Sequence, residues 1–179
     1  MEFFEAIKAR HSIRAFAARS IEPEKLQAIL EAANRAPSAG NLQAYEIFAV
    51  TRRACLSALA RAADNQEFIA QAPLALVFCA HPARSAKKYS QRGASLYCLQ
   101  DATIACAYAQ LAVTALGHAS VWVGAFDEIQ VREAIGAGNE LLPIAILPIG
   151  YASERPETTL RRSLKNLVHS RRSLANLVH

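Results

Sequence analysis

From Ala102 to Phe126 the chain carries no charged side chain, and so long a neutral run has to leave water somewhere. It is long enough to cross a bilayer. Against that, the run is rich in alanine, holds Gln110 and Thr114, and breaks at Gly117-His118. The dense leucine, isoleucine and phenylalanine content of a membrane span is missing. The pattern therefore predicts a buried helix over about 95–116, closed by Gly117, followed by a buried strand at Val121-Trp122-Val123-Gly124. With 179 residues, 53% of them hydrophobic and 20% charged, one globular domain can enclose both elements.

Three further strands are expected at 45–50, 74–79 and 142–149. The near-continuous apolar run Leu74–Cys79 reads as a central strand, and Pro143 and Pro148 are expected at the ends of the last one. Helices are predicted over Glu2–Ala9, from Pro23 to just before Pro37, over Arg53–Ala63, for a turn or two within Asn65–Gln71, and after Asp127 as N-cap. The segment carrying Lys87, Lys88 and Arg92 is expected to be a short, polar, exposed connection. Residues 170–179 nearly repeat 160–169: Arg161–His169 returns as Arg171–His179 with Ala175 in place of Lys165. The chain thus divides into a domain over 1–169 and a redundant tail, read either as a local duplication or as a cloning artefact.

Net charge is +5 and the isoelectric point about 9.2, so acidic or phosphate-bearing partners suit the chain. The basic residues are scattered and not interleaved with aromatic residues, which argues against nucleic acid. Cys55, Cys79, Cys98 and Cys106 form no C-x-x-C pair and show no zinc-ligand spacing. Cys79 and Cys106 read as buried thiols. No disulfide is called for, and no apolar leader is expected after Glu2, Glu5 and Lys8, so a cytoplasmic location is expected.

One short stretch resists a packing explanation. Arg10-His11-Ser12-Ile13-Arg14 places two guanidiniums, an imidazole and a hydroxyl together with no acid among them. Such donors suit an anion, phosphate above all, although a solvated basic turn has the same composition. A loop by composition follows the second helix: Ala36-Pro37-Ser38-Ala39-Gly40-Asn41-Leu42-Gln43.

These two segments, with Leu116-Gly117 through Trp122-Val123-Gly124-Ala125-Phe126 and then Pro148-Ile149-Gly150-Tyr151 followed by Arg161-Arg162, occur in an order that resembles the FMN-dependent nitroreductase family over nearly the whole chain. The resemblance implies an α+β fold, a three-layer α-β-α arrangement around a mostly antiparallel central sheet, as a homodimer binding FMN at the subunit interface. It implies that Arg10, His11, Ser12 and Arg14 hold the phosphate and ribityl chain, with Arg161 and Arg162 approaching from the C-terminal segment. Pro37, Ser38, Ala39 and Asn41 would form the partner subunit's wall of the pocket. Val123 and Gly124 would bring backbone groups to the flavin edge, and Asn65 or Gln66 would reach its pyrimidine side.

The activity implied is a ping-pong cycle in which NADH or NADPH reduces the flavin and a nitroaromatic, quinone or related acceptor reoxidises it. Hydride chemistry resides in the cofactor, so no catalytic side chain and no metal is expected. Neither nucleic acid nor membrane is an expected partner. Two other readings stay open: a flavin carrier or flavin-consuming enzyme without NAD(P)H turnover, and a basic nucleic-acid module. Trp122 reads as core or as a flavin stack. Asp101 serves the helix dipole or faces the site's mouth, and His81 and His118 read as local hydrogen-bonders.

Overall fold

In the computed structural model, which describes residues 1–156 and 159–169, two inner strands carry the fold. β1 (Tyr45–Val50), β2 (Leu74–Ala80), β3 (Ala119–Ser120) and β4 (Leu142–Gly150) form one antiparallel sheet in the order β1-β2-β4-β3. Side chains alternate across a strand, and both faces of β2 are covered, so all seven of its residues are buried. Leu74, Leu76 and Phe78 join Leu147 and Ile149 on one face, beneath α2 (Pro23–Asn34) and α6 (Cys98–Ala115). Ala75, Val77 and Cys79 join Ile146 on the other, beneath α3 (Arg53–Ala62) and α7 (Glu128–Ile135). The result is the expected three-layer α-β-α arrangement. The remaining helices are α1 (Phe3–Ala9), α4 (Phe68–Gln71) and α5 (Pro82–Arg92).

The long neutral run resolves into α6 and the segment leading through β3. Ala102, Ala105, Cys106, Ala109 and Val113 are fully buried, the small side chains giving a surface that can lie close to the sheet. No helix among the described residues is long and apolar enough to cross a membrane. Gly117, at φ +79°, ends α6 in the left-handed region that glycine enters without penalty. The helix begins at Cys98, after a π-helical turn over Gly93–Tyr97.

Two strand expectations are corrected together. Residues 121–124 do not form a continuous strand: β3 is Ala119–Ser120, and Val123 alone resumes pairing, exchanging two 3.0 Å hydrogen bonds with Ile146. Pro143 is the second residue of β4, at the end where it was expected, whereas Pro148 lies inside the strand. The pairs Ala119–Gly150, Ser120–Ile149 and Val123–Ile146 share one register, which sets Val121 opposite Pro148. The Ile146 N–H faces Val123, so the nitrogen of Pro148, two residues on, faces the same edge and has no hydrogen to give. Proline thus explains the gap in the ladder. Pro143 sits beside the register shift between Phe78 and Cys79, where a lost donor is tolerated.

The polar connection expected before the long helix is instead α5. Its N-cap is His81, whose Nδ1 accepts from the Arg84 N–H at 3.3 Å, and Pro82 opens its first turn. Only Ser85 is buried along it, so there is no apolar stripe to reveal the helix in sequence. Arg84 ties α5 to the loop before β1, donating to the carbonyls of Gln43 (2.7 Å) and Tyr45 (3.1 Å) and pairing with Glu46.

Candidate functional site

After α1 the chain runs extended alongside β3 and the residues beyond β4. Ile13 and Phe16 point inward, 5% and 8% exposed, which turns Ser12 and Arg14 outward. The Ile13 N–H donates to the Ser120 carbonyl (3.2 Å). Across the other edge, Ala17 N–H donates to Tyr151 O (2.8 Å) and Ser153 N–H to Ala15 O (3.0 Å). Glu154 completes the join, its Oε1 accepting from the Arg14 and Ala15 N–H groups at 2.5 and 3.2 Å.

This join brings Arg10, His11, Ser12, Arg14 and Arg161 to one cavity of about 740 Å³, together with Lys8, Arg155 and Glu154. Five of the lining side chains are cationic and one is a carboxylate. None of those five cations has an ion-pair partner among the described residues. So many unpaired guanidiniums side by side repel one another unless a multiply charged anion is shared among them. Lys8, Glu154 and Arg155 were not singled out in the sequence. Lys8 had a signal, being on the helix turn before Arg10; Glu154 and Arg155 come after Tyr151 and had none.

The other expected site residues lie apart from this cavity. Pro37, Ser38 and Ala39 line a second, open one of about 600 Å³ with Tyr97, Asp101 and Thr103. Asn41, at φ +57°, accepts from Gln43 Nε2 at 2.5 Å. Asn65 is exposed at φ +59°, while Gln66 is half-buried. Val123 is buried and the adjoining Gly124 exposed, and a Cβ on Gly124 would meet only the Trp122 indole, at 3.5 Å. Nothing in the chain itself demands glycine there, and the space above it stays open to a flat ligand. Arg162 is exposed and donates to the Asn166 carbonyl at 3.2 Å instead of lining the first cavity. Trp122 is half-buried against the core.

Just past β4, Tyr151 donates to Glu22, 2.6 and 2.8 Å from its two carboxylate oxygens, and Arg19 stacks over the Tyr151 ring at 3.9 Å. The tyrosine hydrogen bond leads the causes that bring the Glu22 carboxyl down to about 2. His118 contradicts its reading as a local hydrogen-bonder. Its ring meets Tyr151 edge-on at 4.5 Å, and neither nitrogen has a hydrogen-bond partner among the described residues. Burial, above all, lowers its pKa. Asp101 lies in the first turn of α6, as expected for the dipole, but its oxygen also accepts from the Ala39 N–H at 2.8 Å.

A three-layer α-β-α fold with a cation-lined cavity and a separate glycine-bearing loop defines a class, and comparison with known proteins agrees. The profile of the nitroreductase family matches residues 7–66 and 55–151, and the chain belongs to that family. It is 32% identical over 186 residues to the NADH dehydrogenase of Thermus thermophilus, covering 89% of this chain and 91% of that one. It is 30% identical over 172 residues to the NADPH-flavin oxidoreductase of Vibrio harveyi, covering 92% and 72%. Among solved structures, a nitroreductase family protein from Clostridium difficile superposes with a TM-score of 0.83 at 33% identity, covering 94% of this chain and 98% of that one. The NfrA2 structure from B. megaterium superposes at 0.86 with 26% identity, covering 99% and 78%.

Proposed function

We propose that the chain is an FMN-dependent oxidoreductase that takes reducing equivalents from NADH or NADPH and passes them to a nitroaromatic, quinone or related acceptor. The family match supports this, as do relatives named NADPH-flavin oxidoreductase and FMN reductase [NAD(P)H]. The observation that carries it is the cavity where Arg10, Arg14, Arg155, Arg161 and Lys8 meet beside one carboxylate, Glu154, with no ion-pair partner among the described residues, because a phosphate dianion is the ligand such a set fits. Ser12 adds a hydroxyl and His11 an imidazole. When bound, the flavin supplies the hydride chemistry. The chain's part is to neutralise the phosphate, to leave room for the ring above Gly124, and to hold the 37–41 loop in shape. Asn65 or Gln66 reaches the pyrimidine side of the ring, and Arg161 serves the phosphate end, whereas Arg162, turned to the Asn166 carbonyl, does not line that cavity.

The site is completed by a second copy of the chain, whose Pro37, Ser38, Ala39 and Asn41 close the pocket. Two apolar surfaces support a homodimer: Phe3, Phe4 and Ile7 on α1 with Tyr108 on α6, and Leu160, Leu164 and Val168 in the C-terminal segment, all exposed. The domain is assigned to 1–169; the repeat at 170–179 lies outside the described residues.

The test is an absorption spectrum of the purified protein before and after anaerobic NADH and then NADPH. A flavin band bleached by either one, and restored by an acceptor, is expected. Colourless protein that does not take up added FMN refutes the assignment. A flavin band that neither nucleotide bleaches refutes the reductase activity while keeping the cofactor.

A further inference from the structure

Asp101 is a buried carboxylate with one oxygen in use and one idle. The residue is 2% exposed. One oxygen accepts from the Ala39 N–H at 2.8 Å, and the other is buried with no hydrogen-bond partner among the described residues. Its charge reaches neighbouring groups: after burial, it is the second cause holding the Tyr45 phenol above its ordinary pKa. A half-satisfied buried carboxylate opposes folding, because water solvates the ion better than one amide does. The α6 dipole favours a carboxylate at this position, but it does not account for the bond to Ala39, so a further role is sought in the group that bond holds.

That group is a strained loop. Gly40, Asn41 and Gln43 all have positive φ, at +57°, +57° and +41°, and two of them carry side chains. The loop holds itself partly closed, the Gln43 N–H and side-chain amide both reaching Ser38 Oγ at 3.0 Å. It is fastened to α6 at Ala39 through Asp101, and the carboxylate lies in the wall of the same open cavity as Pro37, Ser38 and Ala39.

We infer that Asp101 is a positioning residue for the flavin site: its carboxylate holds the 37–41 loop in the shape that closes the pocket. The inference rests on the proposed FMN function, and the tests separate the two. FMN binding to the wild-type chain is measured first by quenching of flavin fluorescence; no binding sinks the function itself, and the inference with it.

With binding in hand, Asp101→Ala should weaken FMN about tenfold, the loss expected for one charge-assisted hydrogen bond. Asp101→Asn retains a side-chain oxygen facing Ala39 and should stay within about twofold of wild type. The thermal midpoint of flavin-free Asp101→Ala should stay close to that of the wild type, since the desolvated charge and its one hydrogen bond to Ala39 are lost together. Hydrogen exchange at the Ala39 amide should quicken in Asp101→Ala and remain slow in Asp101→Asn. Unchanged FMN affinity in Asp101→Ala overturns the inference. So does a clear fall in the flavin-free midpoint that accompanies the loss of affinity, which would make Asp101 an ordinary packing residue. Equal losses of affinity in the two variants would also overturn it, because the retained oxygen would then count for nothing.

Discussion

Replacing Arg10 by alanine should weaken FMN far more than riboflavin. Arg10 is half-buried at the edge of a cavity whose other cations are Lys8, Arg14, Arg155 and Arg161, and no acid neutralises it among the described residues. Its guanidinium is free to be spent on the phosphate. A hydrogen bond to a charged group contributes about 1.5–3 kcal/mol, and four remaining cations soften the loss of one. We therefore expect about 2 kcal/mol, an increase in Kd of about 30-fold. Riboflavin has the same ring and ribityl chain without the phosphate, so its weaker binding should change by less than about twofold. Titration of both flavins into wild-type and Arg10→Ala protein, followed by fluorescence quenching, closes the cycle. Added salt should narrow the gap between the flavins in the wild type. Equal losses for FMN and riboflavin would mean that Arg10 supports the ring or the fold, and the phosphate would have to lie elsewhere.

Glu154→Gln keeps the oxygen that accepts from Arg14 and Ala15 but removes the one carboxylate lining that cavity, so FMN should bind about threefold more tightly, as titration would record. Phe78 is fully buried between β2 and α6; Phe78→Ala should cost about 3–5 kcal/mol in urea unfolding, and a loss under about 1 kcal/mol would contradict the described core. Phe4 is 73% exposed on α1, and Phe4→Glu should shift the protein toward monomer in sedimentation, while an intact dimer would move the interface off this helix. Burial first, then Lys25 and Arg19, depress the His118 pKa, against an upward pull from Glu22. The unfolded chain therefore takes up the proton first, and stability present above about pH 6.5 should fall as the solution is acidified below it. His118→Phe should flatten the thermal midpoint between pH 7.5 and 5 if this residue is responsible.

The sequence alone determined the elements whose burial is written in a repeating pattern. Helices α1, α2, α3 and α7 and strands β1 and β2 announce themselves by apolar period, capping residues or an unbroken buried run. The neutral stretch after Asp101 announces its helix by the same means. Arg10 through Arg14 by itself allowed an anion or a solvated basic turn, and only its order with the 36–43 loop, Gly124 and Arg161 made it a candidate phosphate site. What the chain could not declare were matters settled by partners distant in sequence. Whether 121–124 formed a strand depended on Pro148 standing opposite Val121 with no hydrogen to offer. Helix α5 buries only Ser85 and so lacks an apolar stripe, and its tie to the chain before β2 is made by Arg84 reaching the carbonyls of Gln43 and Tyr45. Asp101 looked like a charge suited to a helix start, and only the fold brought Ala39 to it. Local pattern records which face of a segment avoids water; a hydrogen bond made across the fold leaves no period in the sequence, so only tertiary structure could assign those roles.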